Sequence, residues 1–202
     1  MHLFGSDDVE LALSRVGELL AAEGVTFAVV VVGGAALNLL GIVTRTTTDV
    51  DILAFARHRQ GAHPDVHSLS EPPTPLPEPL LRAAQNVARD MGLDADWLNS
   101  GPALQWRAGL PPGLDARIEW QRYGGLWVGI VARYDLVFFK LFAAADSEGA
   151  SSVHYQDLLA LAPTPAELAD AAVWVSTQDA APEFAQILRE VVAQVTRDLD
   201  YA

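Results

Sequence analysis

Two carboxylates stand two residues apart in Thr46-Thr47-Thr48-Asp49-Val50-Asp51-Ile52-Leu53. The surrounding apolar residues read as a strand. Strand side chains alternate faces, so the spacing predicts Asp49 and Asp51 on one face. Two such carboxylates at one sheet edge repel each other unless a cation lies between them. Hard oxygen ligands suit Mg²⁺, which takes one or two protein carboxylates and completes its shell with water and phosphate oxygens. Upstream, the apolar run Phe27-Ala28-Val29-Val30-Val31-Val32 ends in Gly33-Gly34. A glycine pair at the start of a helix lets backbone N–H groups approach a phosphate. Arg45 can pair with a phosphate or with Asp51. Thr47 falls on the Asp49 face, where its hydroxyl can line the site, although a threonine run also suits a strand for plain propensity reasons.

Further along, Lys140 is the only lysine in the chain and sits in Val137-Phe138-Phe139-Lys140-Leu141-Phe142-Ala143. Burying an ammonium in such an apolar helix is costly unless an anion accompanies it. Phosphate would satisfy that demand; a stem packed on the core with its head in water is the plainer alternative. In Leu114-Asp115-Ala116-Arg117-Ile118-Glu119-Trp120, a strand would bring Asp115, Arg117 and Glu119 to one face.

The pattern of Gly33-Gly34, a helical spacer, then Arg45-x-Thr47-x-Asp49-x-Asp51 resembles the nucleotidyltransferase superfamily with a polymerase-β-like core. Within it the chain looks most like the AbiEii/MenT type, the toxin half of bacterial toxin–antitoxin pairs. The resemblance implies an α+β fold: a nucleotidyltransferase core with a mixed sheet over residues 1–134, then a helical C-terminal lobe over 135–202. It implies transfer of a nucleotide from an NTP to an acceptor, the tRNA 3′ end, with Asp49 and Asp51 on Mg²⁺ and a cognate antitoxin as partner. Two metal ions can hold the attacking and leaving oxygens of such a displacement. The superfamily adds a third carboxylate from a neighbouring strand. Glu119, between apolar neighbours, is the preferred third metal ligand and Asp115 the reserve; a surface pair of Glu119 with Arg117 or Arg133 is the alternative. Lys140 matches a family lysine that contacts phosphates, and Asp157 in His154-Tyr155-Gln156-Asp157-Leu158-Leu159 matches a family aspartate with a role in catalysis or site architecture. Asp157 could equally be an acid in the first turn of a helix.

One departure stands out: Ala143 to Val153 contains no basic residue, where family members carry one. Triphosphate binding would then rest on Lys140, the Gly33-Gly34 backbone and Arg45. Two other functions compete. An aminoglycoside-type nucleotidyltransferase fits the acidic composition, since an acidic cleft suits a polycationic hydroxyl substrate. A non-catalytic relic fits the missing basic segment, while Lys140 and both aspartates argue against it.

Net charge is −13 over 202 residues, which excludes a broadly basic nucleic-acid surface because phosphate neutralisation needs Lys and Arg. Any RNA contact belongs with Arg45, Arg57, Arg59, Arg82, Arg89, Arg107, Arg117, Arg122 and Arg133. The acidity serves solubility or a basic partner. No run is long and apolar enough for a membrane span, no secretory signal is visible, and the absence of cysteine fits a cytoplasmic protein.

The elements that must hold these residues follow from patterning. Ser6 reads as the N-cap of a helix to Ala22, with Val9, Leu11, Leu13, Val16, Leu19 and Leu20 at helical period and Gly24 as its stop. Phe27 to Val32 is a strand, Ala35 to Leu40 a short helix ended by Gly41, and Asp49 to Phe55 a second strand. Residues 57–79 hold six of the twelve prolines and read as a mobile loop edging the site. His58, His63 and His67 within it match no regular element and are not read as a metal cluster. A helix over Leu80 to Met91, a short strand or turn over Asp94 to Leu98, and a hairpin of Ala116 to Tyr123 with Leu126 to Arg133 about Gly124-Gly125 follow. The rest is helical: Asp135 capping a helix to Ala145, then Tyr155 to Leu161, one opened by Pro165, and Ala180 to Leu199. Gly149 to Ser152 reads as a flexible joint.

Overall fold

The structure, a computed structural model, describes residues 5–58, 62–101, 106, 109–147 and 149–200. The chain divides into two compact units, residues 1–132 and 133–202. The first is α+β with a mixed sheet; the second is helical.

The first unit opens with α1 (Ser6–Ala22). Val9, Leu13, Val16 and Leu20 form its buried stripe, while Leu11 and Leu19 stay exposed. Its N-cap is Gly5, one residue before the expected Ser6. The Gly5 N–H donates to the Asp8 carboxylate at 3.0 Å, so the first-turn acid supplies the cap. Gly24, at φ +69°, takes the left-handed conformation that ends the helix. The chain continues as β1 (Phe27–Val32), α2 (Gly33–Leu39), β2 (Val50–Ala56), a two-residue β3 (Leu69–Ser70), α3 (Glu78–Met91), a two-residue β4 (Leu98–Asn99), β5 (Glu119–Tyr123) and β6 (Leu126–Ile130).

Strand order is β3-β2-β1-β6-β5, with β4 also on β2. β1 is central and its Ala28 to Val31 are buried, as an uninterrupted valine run predicts. It runs antiparallel to β2 and parallel to β6. Because β1 occupies one edge of β2, β3 and β4 share the other, β3 antiparallel at Phe55 and Ala56 and β4 parallel at Val50 and Asp51.

Several elements differ from the patterning. β2 starts at Val50, leaving Asp49 one residue outside it. Residues 57–79 are not simply a loop: a 3₁₀ turn (Val66–Ser68) and β3 lie within them, and the Arg57 carbonyl and amide are taken up by Asp65 N–H (2.8 Å) and Ser68 Oγ (2.9 Å). Positions 59–61 lie outside the described residues, as does Arg107. The hairpin is shorter than expected because residues 114–117 form a 3₁₀ turn that ends before Glu119.

Gly17 explains how the hairpin seats on α1. The Gly125 N–H donates to the Gly17 carbonyl at 2.8 Å. A Cβ on Gly17 would lie 1.7 Å from the Tyr123 carbonyl oxygen. Gly17→Ala therefore costs about 1–3 kcal/mol or more through overpacking, an effect that denaturant titration reads directly.

The second unit holds α4 (Arg133–Asp146), α5 (Val153–Ala160), α6 (Pro165–Val175) and α7 (Pro182–Asp198). Asp135 does not cap α4: the helix starts two residues earlier and Asp135 is fully buried in its first turn. Between α4 and α5, Gly149–Ser151 form a 3₁₀ turn and Ser152 caps α5, accepting from the Tyr155 N–H at 3.2 Å. Pro165 opens α6 as expected. Thr164 and Glu167 cap it reciprocally, at 3.2 and 2.8 Å, and the Arg133 guanidinium also donates to Glu167.

Burial raises the Glu167 carboxyl, but the Thr164 N–H and Arg133 outweigh it and hold the group below the usual carboxylate range. The stabilisation is whole above the ordinary value of about 4.3 and is lost as pH falls through the lower folded value. Thermal melts of wild type and Glu167→Gln are expected to differ near pH 6 and to draw together as pH falls below the ordinary carboxylate range.

Candidate active site

At the end of β1 the chain turns without side chains. Gly33 has φ +79°, and a Cβ there would lie 2.7 Å from Asp51 Oδ2. A Cβ on Gly34 would lie 2.8 Å from Thr47 Oγ1 and 3.5 Å from Arg45 Nη2. The glycine pair is thus the space into which Asp51, Thr47 and Arg45 project. Gly33 meets both demands that favour glycine, a left-handed backbone and close approach.

Asp51 pairs with Val32 across the β1–β2 ladder, which sets its carboxylate beside the glycine turn. Thr47 is buried, at 5% exposure, and its hydroxyl lies 3.4 Å from Asp49 Oδ1 and 3.3 Å from the Asp49 carbonyl oxygen. The hydroxyl therefore anchors the loop that delivers Asp49. Arg45 Nη1 also donates to the Thr46 carbonyl at 3.3 Å. Gly33, Gly34, Arg45, Thr47, Asp49 and Asp51, chosen on spacing alone, come together at one end of the β1–β2 pair.

Glu119 does not join them. The sheet order puts β1 and β6 between β2 and β5. Three strand spacings of about 4.8 Å separate Glu119 from the Asp51 strand by roughly 14 Å, and the Glu119 side chain is exposed. Mg²⁺ holds ligands at about 2.1 Å, so one ion cannot bind Glu119 together with Asp49 or Asp51. Asp115 is no substitute: it lies in the 3₁₀ turn, so the expected shared face with Arg117 and Glu119 does not form. His67 Nδ1 lies 3.0 Å from the Asp115 carboxylate and holds it below its ordinary range. The strand beside β2 at this level is β4, and it places Asn99 opposite Asp51. The patterning missed this residue; the only local signal was Leu98-Asn99 followed by Ser100-Gly101, an apolar residue running into turn formers.

Asp49 and Asp51 are the residues that could hold Mg²⁺. Among the described residues no group of three or more His, Cys, Asp or Glu forms a metal cluster. Two carboxylates with a hydroxyl alongside match an ion that keeps part of its shell for water and phosphate oxygens. His63 lies with its ring 6.2 Å from that of Trp120 and 5.2 Å from that of Trp127, in an aromatic group.

The arginines of the first unit are spread over separate elements. Arg82 pairs with Glu78 and Glu23, Arg89 donates to Asn86, Arg117 donates to the Pro112 carbonyl, and Arg122 lies 5.4 Å over the Trp127 ring.

In the second unit, Lys140 on α4 and Asp157 on α5 form an ion pair at 2.7 Å, with side chains 6% and 1% exposed. Asp157 is the fifth residue of α5, past the first turn, so the helix-dipole reading does not hold. The anion that a buried ammonium requires is this carboxylate.

No family model matches the chain, and no curated protein does. Among solved structures, the crystal structure of an antigenic nucleotidyltransferase-like protein from Paracoccidioides brasiliensis aligns with 98% of this chain and 91% of its own, at 14% identity and a TM-score of 0.47. A likeness at that level assigns neither fold nor function. No described helix is long and apolar enough to cross a membrane.

Proposed function

We propose that this chain is an Mg²⁺-dependent nucleotidyltransferase of the polymerase-β-like superfamily. It moves a nucleotide from an NTP to the 3′ end of tRNA in the cytoplasm, as the toxin of a toxin–antitoxin pair. The observation that carries the reading is the convergence of the glycine pair on the acids: a Gly33 Cβ would sit 2.7 Å from Asp51 Oδ2. A strand that merely ended in two solvated acids would have no need of bare backbone at that point.

In the proposed reaction the acceptor hydroxyl oxygen bonds the α-phosphorus as the bond to pyrophosphate breaks. Bound Mg²⁺ would supply charge neutralisation on the phosphate oxygens. Asp49 and Asp51 would hold the ion. Gly33 and Gly34 let Asp51, Thr47 and Arg45 close on the backbone, Arg45 adds a cation beside the glycine pair, and Thr47 fixes the loop that carries Asp49. The family resemblance assigns Lys140 to phosphates and Asp157 to catalysis or architecture, and their mutual ion pair supports the architectural role. The acidic remainder of the surface suits a basic antitoxin.

The test is transfer of label from each of four α-labelled NTPs to total tRNA with Mg²⁺, for wild type and Asp49→Ala in parallel. Label that appears only with wild type supports the reading and names the nucleotide. A second reading, transfer to a polycationic small molecule such as an aminoglycoside, is favoured by the net charge of −13. Label on the drug and not on tRNA would select it.

A further inference from the structure

Asn99 reaches the site through a pairing that no local pattern announces. β4 is two residues long and parallel to β2, with Asn99 opposite Asp51. Paired residues of adjacent strands project to the same face, here about 4.8 Å apart. Asn99 therefore projects from the same face of the sheet as Asp51, on the β4 flank, while the Gly33 backbone meets the Asp51 carboxylate from the β1 flank.

The orientation of its amide is set. Asn99 Oδ1 accepts from the Gly101 N–H at 2.7 Å. That bond occupies the acceptor end and leaves Nδ2, with two hydrogens, as the group available to a ligand. Among the described residues Nδ2 has no acceptor. Gly101 is part of the arrangement, since a Cβ there would lie 2.9 Å from Asn99 Oδ1. A carboxylate at this position would repel Asp49, Asp51 and any phosphate. The amide instead offers a donor to an anionic oxygen and adds no charge.

We propose that Asn99 is a ligand-binding residue of the Asp49–Asp51 site, its Nδ2 donating to a phosphate oxygen of the polyphosphate held there. The inference rests on the nucleotidyltransferase reading and names a contact that the reading does not contain.

The test measures the affinity of Mg²⁺ with each of the four NTPs by calorimetry and thermal shift, for wild type, Asp49→Ala, Asn99→Ala, Asn99→Asp and Gly101→Ala. For the NTP that binds best, Asn99→Ala is expected to weaken binding about tenfold, the loss of one hydrogen bond to a charged group. Gly101→Ala keeps the asparagine but displaces its amide, and is expected to weaken binding to a similar degree. It also serves if Asn99→Ala does not fold. Asn99→Asp is expected to weaken NTP binding while tightening Mn²⁺ alone, followed by electron paramagnetic resonance, because a third carboxylate joins the two. Folded wild type that binds no NTP overturns the nucleotidyltransferase reading and this inference with it. Wild-type binding that Asp49→Ala abolishes, but that Asn99→Ala and Gly101→Ala leave unchanged, overturns this inference alone.

Discussion

On the proposed nucleotidyltransferase reading, Asp49→Ala and Asp51→Asn are each expected to lower label transfer to tRNA at least about 10³-fold, because a metal ion held there would contribute several kcal/mol to stabilising the charge that develops on the phosphate. The two variants probe different things. Asp51→Asn is isosteric and fills the same space beside Gly33, so its fold should match wild type by circular dichroism and melting. It removes charge and little else. Asp49 lies in the loop before β2 and its carboxylate accepts from Thr47, so its loss leaves the Thr47 hydroxyl only the backbone carbonyl of position 49 as acceptor. Thr47→Val tests that coupling: it keeps the volume, removes the hydroxyl, and is expected to lower transfer by a smaller factor than either aspartate variant. Wild-type rates in both aspartate variants would sink the reading, whatever the acceptor.

Lys140→Met and Asp157→Leu, made singly, are each expected to destabilise the protein by about 3–5 kcal/mol, because each strands an uncompensated charge in the interior. The melting temperature would fall by on the order of 10 °C. The double variant is expected to recover most of that loss, since replacing both partners of a buried pair with apolar groups of similar volume is often neutral or better. The cycle separates two roles that static geometry does not. If the pair is purely architectural, the refolded double variant transfers label like wild type. If Lys140 or Asp157 also acts in the reaction, the double variant is stable and inactive. Additive single effects, with no recovery in the double, would mean that the 2.7 Å contact is not the energetic pair described above.

Much of the first unit was legible because its signals are local. The valine run of β1 is apolar on both faces and cannot be anything but buried. Gly24, Gly41 and Gly92 end helices by taking positive φ, a preference that belongs to the residue itself. In the second unit, Pro165 opens α6 in the same local way, its fixed φ suiting the first helical position. Patterning failed where a nearby side chain took over a local role. Ser6 lost the cap position to Gly5 because Asp8 reached the Gly5 N–H, and the strand period expected over residues 114–119 gave way to a 3₁₀ turn.

By itself, then, the amino-acid order determined that a glycine turn, a threonine loop and two carboxylates lie close along the chain, since fewer than twenty residues separate Gly33 from Asp51 and a strand, a short helix and a strand leave few ways to arrange them. Only the tertiary structure decided what stands beside them. Alternation within a strand can suggest which face Glu119 occupies, but not that β6 and β1 intervene before β2. Two residues of β4 carry too little pattern to reveal that Asn99 lies opposite Asp51. Lys140 required an anion on energetic grounds, yet the choice of Asp157, seventeen positions on, depended on how α4 and α5 pack. Strand neighbours and buried charge partners are set by contacts between distant segments, and these form only once the whole core has closed around them.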